Sequence, residues 1–137
     1  MRAAILALAL AGCGADEQYD PTGTWSFTIT WSSGDCVVPR TEPDLFLVAS
    51  VGDDYLIESS RDGETVTGRI VTEAERAVLS AMFTNPDALG DGGSTTAART
   101  VDASAVSTRA ITGMIHLSIA GRANCEHDGY LQGVITP

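Results

Sequence analysis

A chain of 137 residues with 18 acidic and 8 basic side chains, all eight of them arginine, carries a formal net charge of −10. That length supplies one domain with a genuine core and excludes two of ordinary size. An acidic surface repels phosphate backbones and anionic headgroups, which sets aside nucleic-acid binding and peripheral attachment to anionic membranes.

The chain opens Met1-Arg2 and then runs from Ala3 to Leu10 without a polar side chain. One positive charge ahead of a short apolar stretch has the order of an export signal. The stretch is too short to span a bilayer, which takes about 20 apolar residues. It ends in Leu10-Ala11-Gly12-Cys13, which resembles the lipobox of bacterial lipoproteins: leucine, two small residues and an obligatory cysteine. The resemblance implies that residues 1–12 are a signal peptide cut off before Cys13. It also implies that the Cys13 thiol carries diacylglycerol, a palmitate-type membrane anchor. Residues 13–21 then read as the lipidated cysteine and a polar tether. The residue after the cysteine is Gly14, not the aspartate that tends to retain such proteins in the inner membrane. By that resemblance the expected address is the cell envelope, at the outer membrane, facing the periplasm or the exterior.

The chain holds three cysteines. If lipid consumes Cys13, Cys36 and Cys125 remain as a pair in an oxidising compartment, where a disulfide is expected. Closing a loop of about 90 residues is worth roughly 4 to 5 kcal/mol in the chain-entropy picture. Two free or metal-binding thiols are the alternative.

Residues 22–137 read as a single β domain. Trp25, Phe27, Ile29 and Trp31 alternate with Ser26, Thr28 and Thr30, the period of a half-buried strand. Leu45 to Val51 suggests a second strand, Gly52-Asp53-Asp54 a turn, and Tyr55 to Ser59 a third strand. Asp62-Gly63 is a two-residue hairpin signal, because glycine accepts positive φ without steric cost. Val66 to Val71 follows as a fourth strand, with Gly68 a candidate bulge. Residues 72–84 are ambiguous. Thr72-Glu73-Ala74-Glu75 has capping-box spacing and Val78, Ala81 and Met82 share a helical face, but the β context favours a strand. Residues 85–96 form a glycine-rich loop, and a weak strand spans 97–106. Ile111 to Ile119 alternates again. Gly121 to Gly129 reads as a turn carrying Cys125, and Tyr130 to Thr136 as a final strand.

Eight short strands with short connections predict an all-β fold, an antiparallel up-and-down barrel, with a two-sheet sandwich as the alternative. In such a barrel the end of the first strand meets the start of the eighth, so a Cys36–Cys125 bridge would staple the seam. Gly23-Thr24-Trp25 resembles the Gly-x-Trp motif that opens the first strand of lipocalins and also begins strands in avidin-like barrels. The resemblance implies a barrel, with Trp25 as a structural plug at one end. The later lipocalin motifs are missing, as are the tryptophans that would line an avidin-type ligand site.

Local signatures of chemistry are weak. Cys125-Glu126-His127-Asp128 gathers four potential ligands, but adjacent residues in a turn diverge, and His116 lies on a polar strand face. Asp87 and Asp91-Gly92-Gly93 lack the ligand spacing of a calcium loop. Asp53-Asp54 lies in a turn, suited to solvation more than to acid–base work. There is no Gly-x-Ser-x-Gly elbow, the two histidines have no evident partner, and no phosphate-cradling loop occurs. The reading is a non-enzymatic envelope lipoprotein without metal or cofactor. Its expected partners are the membrane, through the lipid, and an envelope protein. The alternative is a lipocalin-like carrier of a small apolar ligand. The two differ in whether the interior is filled or open.

Overall fold

The computed structural model describes residues 20–73, 76–90 and 92–137. Residues 1–12, Cys13 and most of the tether lie outside the described residues. The strands are β1 (Gly23–Gly34), β2 (Thr41–Val51), β3 (Asp54–Ser59), β4 (Thr65–Glu73), β5 (Arg76–Asn85), β6 (Thr95–Ala105), β7 (Ala110–Gly121) and β8 (Cys125–Thr136). Among the described residues there is no helix. All eight strands join one antiparallel sheet in the order β3-β2-β1-β8-β7-β6-β5-β4, and β3 and β4 come back side by side. The sheet is therefore a nearly closed barrel, and the sandwich alternative falls away.

Alternation builds the wall. One phase of each strand points inward and is mainly apolar, as with Trp25, Phe27, Ile29 and Trp31 on β1 or Ile111, Ile115 and Leu117 on β7. The 72–84 ambiguity resolves to strand for β5, whose Ala77, Leu79, Ala81 and Phe83 are all buried. A period of two lets that set face the core, which a helical face through Val78, Ala81 and Met82 would not. β8 begins at Cys125, five residues earlier than the apolar run suggests, because Cys125 to Asp128 pair with Ile119 to His116 on β7. Inter-strand hydrogen bonds extend a strand beyond its hydrophobic signal. Pro43 sits inside β2 opposite Thr28, where β3, whose pairing starts at Phe46, no longer covers the far edge. A missing N–H costs nothing there.

Three expectations about sheet detail need correction. β1 and β8 pair continuously from Thr24↔Thr136 to Gly34↔His127, so the seam near the disulfide is already closed by hydrogen bonds. The wall lacks a ladder between β3 and β4 instead. Gly63 does turn the chain there, at φ 74°, but residues 60–64 connect the strands without pairing them. The bulge expected at Gly68 is absent, since β4 and β5 keep register throughout; the irregularity lies at Trp31/Ser33 on β1. Gly68 is needed for a close approach: a Cβ there would strike the backbone of Ser80 and Ala81.

All strand starts and ends define two rims. Gly23, Val51, Asp54, Ala105, Ala110 and Thr136 mark the rim where the chain enters. Gly34, Thr41, Ser59, Thr65, Asn85, Thr95, Gly121 and Cys125 mark the opposite rim.

Candidate functional site

The barrel interior is an aromatic column. Trp25 at the entry rim is 0 % exposed, and its indole Nε1 donates to the Pro21 carbonyl oxygen at 2.8 Å. Phe27 follows at 6.3 Å between ring centroids, then Phe46 at 4.9 Å, then Phe83 stacked on Phe46 at 4.5 Å. Aromatic pairs at these separations add to the burial of their area. A water-sized sphere reaches none of Trp25, Ile29, Phe46, Phe83, Val101 or Leu131. Chain entry explains the first contact: Pro21 lies four residues before Trp25 and folds beneath it.

A cluster of charges lies above Phe83, in the opposite half of the barrel. Arg99 on β6 places its guanidinium 5.1 Å from the Phe83 ring centre. It donates from Nη1 to Asp44 on β2 at 2.5 Å, from Nη2 to Glu64 at 2.6 Å and from Nε to the second Glu64 oxygen at 3.1 Å. Glu64 also accepts from the Ser59 hydroxyl. Asp44 accepts from the Leu45 amide and from Arg61 Nε at 3.2 Å, and Arg61 reaches Glu42 at 3.2 Å. Arg99 and Asp44 are 3 % and 5 % exposed. Burial on its own would lower the Arg99 pKa, but hydrogen bonds and charge from Glu64 and Asp44 hold it above the ordinary value. Each buried charge is paired, as it must be to stay ionised. The cluster ties β2, the end of β3, the 60–64 connection and β6, and so bridges the stretch where β3 and β4 lack a ladder.

Sequence reasoning did not single out these residues. A signal was present: Arg99 shares its inward phase with Val101, Ala103 and Ala105, and Asp44 shares one with Phe46 and Val48. Their pairing was not legible, because β2 and β6 are separated in the sheet by β1, β8 and β7.

The far rim also carries the cysteines. Cys36 and Cys125 are joined as a disulfide with Cα atoms 5.1 Å apart. Asp35 flanks the bridge. Its amide donates to the Glu126 carbonyl and its carboxylate accepts from the Glu126 amide. Asp35, Cys36 and Cys125 offer ligand atoms within 4.8 Å of one another, but two of them are sulfurs bonded together. They offer no thiolates to a metal in this state.

The Cys125-to-Asp128 run is strand, not turn, and its side chains alternate. Glu126 and Asp128 point outward, where His116 of β7 meets both: Nδ1 lies 2.6 Å from Asp128 and Nε2 3.4 Å from Glu126. His116 lies on the outer wall as expected, but it does have partners. Its pKa is raised, first by the hydrogen bond to Asp128. The two carboxylates sit at opposite ring nitrogens and do not converge on a single point, as a metal would require. His127 points inward instead and packs edge-on against Trp31 at 5.7 Å. Among the described residues, Trp31 Nε1 and His127 Nδ1 are buried without a hydrogen-bond partner.

The long connection is shorter than expected, residues 86–94, and is knit by its own bonds. Asp87 accepts from the Gly93 amide and donates its own amide to Asn85, and Ala88 donates to Thr95. Asp91 lies outside the described residues. Asp53 and Asp54 sit exposed at the β2–β3 turn.

No protein-family model, curated protein or solved structure matches this chain.

Proposed function

We propose that the chain is a cell-envelope lipoprotein, tethered through Cys13, whose barrel is a non-enzymatic interaction module that presents its far rim to an envelope protein. The observation that carries this reading is the filled interior: an aromatic column closed by Trp25 and Pro21 at one rim and by the Arg99–Asp44–Glu64 cluster toward the other. An apolar cargo the size of a typical ligand needs several hundred Å³ of largely apolar space. Here it would have to displace packed aromatics or an ion cluster whose charges would then lie unpaired. The entry rim is the end from which a tether would reach a membrane. The opposite rim, with its disulfide-pinned 35–40 connection, exposed Val37 and Leu89 and the 86–94 loop, is left free for contact. Loops on a rigid scaffold are where recognition is commonly placed.

Mass spectrometry of small molecules extracted from natively purified protein tests this reading. The expected extract is empty, with an envelope protein captured by cross-linkers placed at Val37 or Leu89. A stoichiometric apolar compound would instead establish the lipocalin-like carrier. For the anchor, Cys13→Ser should abolish fatty-acid labelling and leave an unprocessed precursor; normal processing would refute lipidation.

A further inference from the structure

The 35–40 connection between β1 and β2 is pinned at both ends. Cys36 is tied to Cys125 by the disulfide, and next to it the Asp35 amide donates to the Glu126 carbonyl at 2.9 Å. The Asp35 carboxylate accepts from the Glu126 amide at 2.8 Å. At the other end the Trp31 amide donates to the Arg40 carbonyl at 3.0 Å. Between these anchors the side chains alternate: Cys36 is 9 % exposed, Val37 104 %, and Val38 turns back to pack on the core. In, out and in over three residues is the zigzag of an extended backbone. Composition favours it as well. β-Branched valines are stiff and suit extended chain, and Val38 precedes Pro39, which disfavours the helical region. The main chain of Val37, Val38 and Pro39 lies outside both ladders.

A single exposed valine on a loose loop would carry no meaning. Here a fully exposed aliphatic side chain crowns an extended segment that the scaffold holds in place, the form in which a serine protease receives its substrate. We propose that this loop is a substrate-like inhibitor of a serine protease with a small aliphatic specificity pocket. Val37 fills the pocket, and the Val37–Val38 peptide bond lies at the catalytic serine. In the protease cycle the serine oxygen attacks the Val37 carbonyl carbon, and the C–N bond to Val38 breaks. The Val38 nitrogen leaves as an amine, carrying the proton that the serine gave up to the histidine. On this scaffold the two new ends cannot part. Cys36 is held by its disulfide and Val38 by its packing, so the amine stays beside the acyl carbon and re-forms the bond before water replaces it. Ordering the loop in advance also removes an entropic cost of binding. The proposal rests on the reading of the far rim as a contact surface and names the class of its partner.

The test is an inhibition assay of the full chain carrying Cys13→Ala, to remove acylation, against an elastase-type protease. Inhibitor runs from about 10 nM to about 100 μM, and half-inhibition near 1 μM or below is expected. Val37→Arg should weaken inhibition of the elastase about a hundredfold and create inhibition of trypsin, whose pocket carries an aspartate. Leu89→Arg, at another exposed position of the same rim, should do neither. Both positions are exposed, and circular dichroism checks that each variant keeps the fold. No inhibition of the elastase by the parent up to about 100 μM would overturn the proposal. So would a folded Val37→Arg variant that trypsin cuts without being inhibited. If inhibition is absent while cross-linkers at Val37 still capture an envelope protein, the inhibitor role falls and the rim reading stands.

Discussion

Replacing Arg99 by Met is the sharpest test of what closes the barrel. Methionine fills much of the same space and keeps contact with Phe83, but it removes the cation that faces Asp44 and Glu64. The Asp44 and Glu64 side chains alone are 1 % and 6 % exposed, and each loses its strongest partner. Breaking a buried ion pair from one side costs about 3 to 5 kcal/mol, because the remaining charge has no water to turn to. Three intended donor bonds vanish together, so the upper half of that range is expected. For a domain of this size, 1 kcal/mol corresponds to roughly 4 °C in Tm, so the variant should melt about 16 to 20 °C lower. Urea unfolding followed by tryptophan fluorescence reads the same change as a shifted midpoint with unaltered slope. A companion carrying Asp44→Leu, Glu64→Met and Arg99→Met together should recover most of the loss, since a buried ion cluster is worth little against well-packed apolar groups. A single variant within about 1 kcal/mol of the parent would refute the reasoning, and would mean that water reaches the cluster.

Reduction of the Cys36–Cys125 bridge, or its replacement by two serines, should lower stability by about 4 to 5 kcal/mol; equilibrium unfolding with and without reductant checks this, given the sequence separation of 89. Trp25→Ala should cost about 3 to 5 kcal/mol, as for other buried aromatics truncated to alanine, and Trp25→Phe less, by loss of the Pro21 bond, both measurable by denaturant titration. His116 should titrate above 6.5 by NMR, and Asp128→Asn should bring it back down. The sign follows from a raised folded-state pKa. The favourable contribution of His116 is complete below the unfolded value and is lost as pH rises through the folded value. On the exposed outer wall that contribution is small, and the chemical shift is the better readout.

Much of this fold was legible in the sequence because period-two alternation is a local property. Trp25 to Trp31 and Ile111 to Ile119 declare which side chains go inward before any pairing is known. Turn glycines behave the same way, since Gly63 takes positive φ whether or not its strands pair. The pairing of Cys36 with Cys125 followed from chemistry and count, once Cys13 was assigned to lipid.

What tertiary structure decided is long-range. Whether β3 and β4 form a ladder depends on how the other seven pairings curve the sheet, and no local signal reports that curvature. The strand character of Cys125 to Asp128 comes from hydrogen bonds to β7, which overrode a polar run that reads alone as a turn. That same register sorted His127 inward to Trp31 and handed Glu126 and Asp128 to His116. Arg99 and Asp44 could be seen to point inward from their phase, yet only closure of the barrel brings β6 across from β2. Inward direction is written in alternation along one strand; the partner met inside depends on how eight strands close on one another.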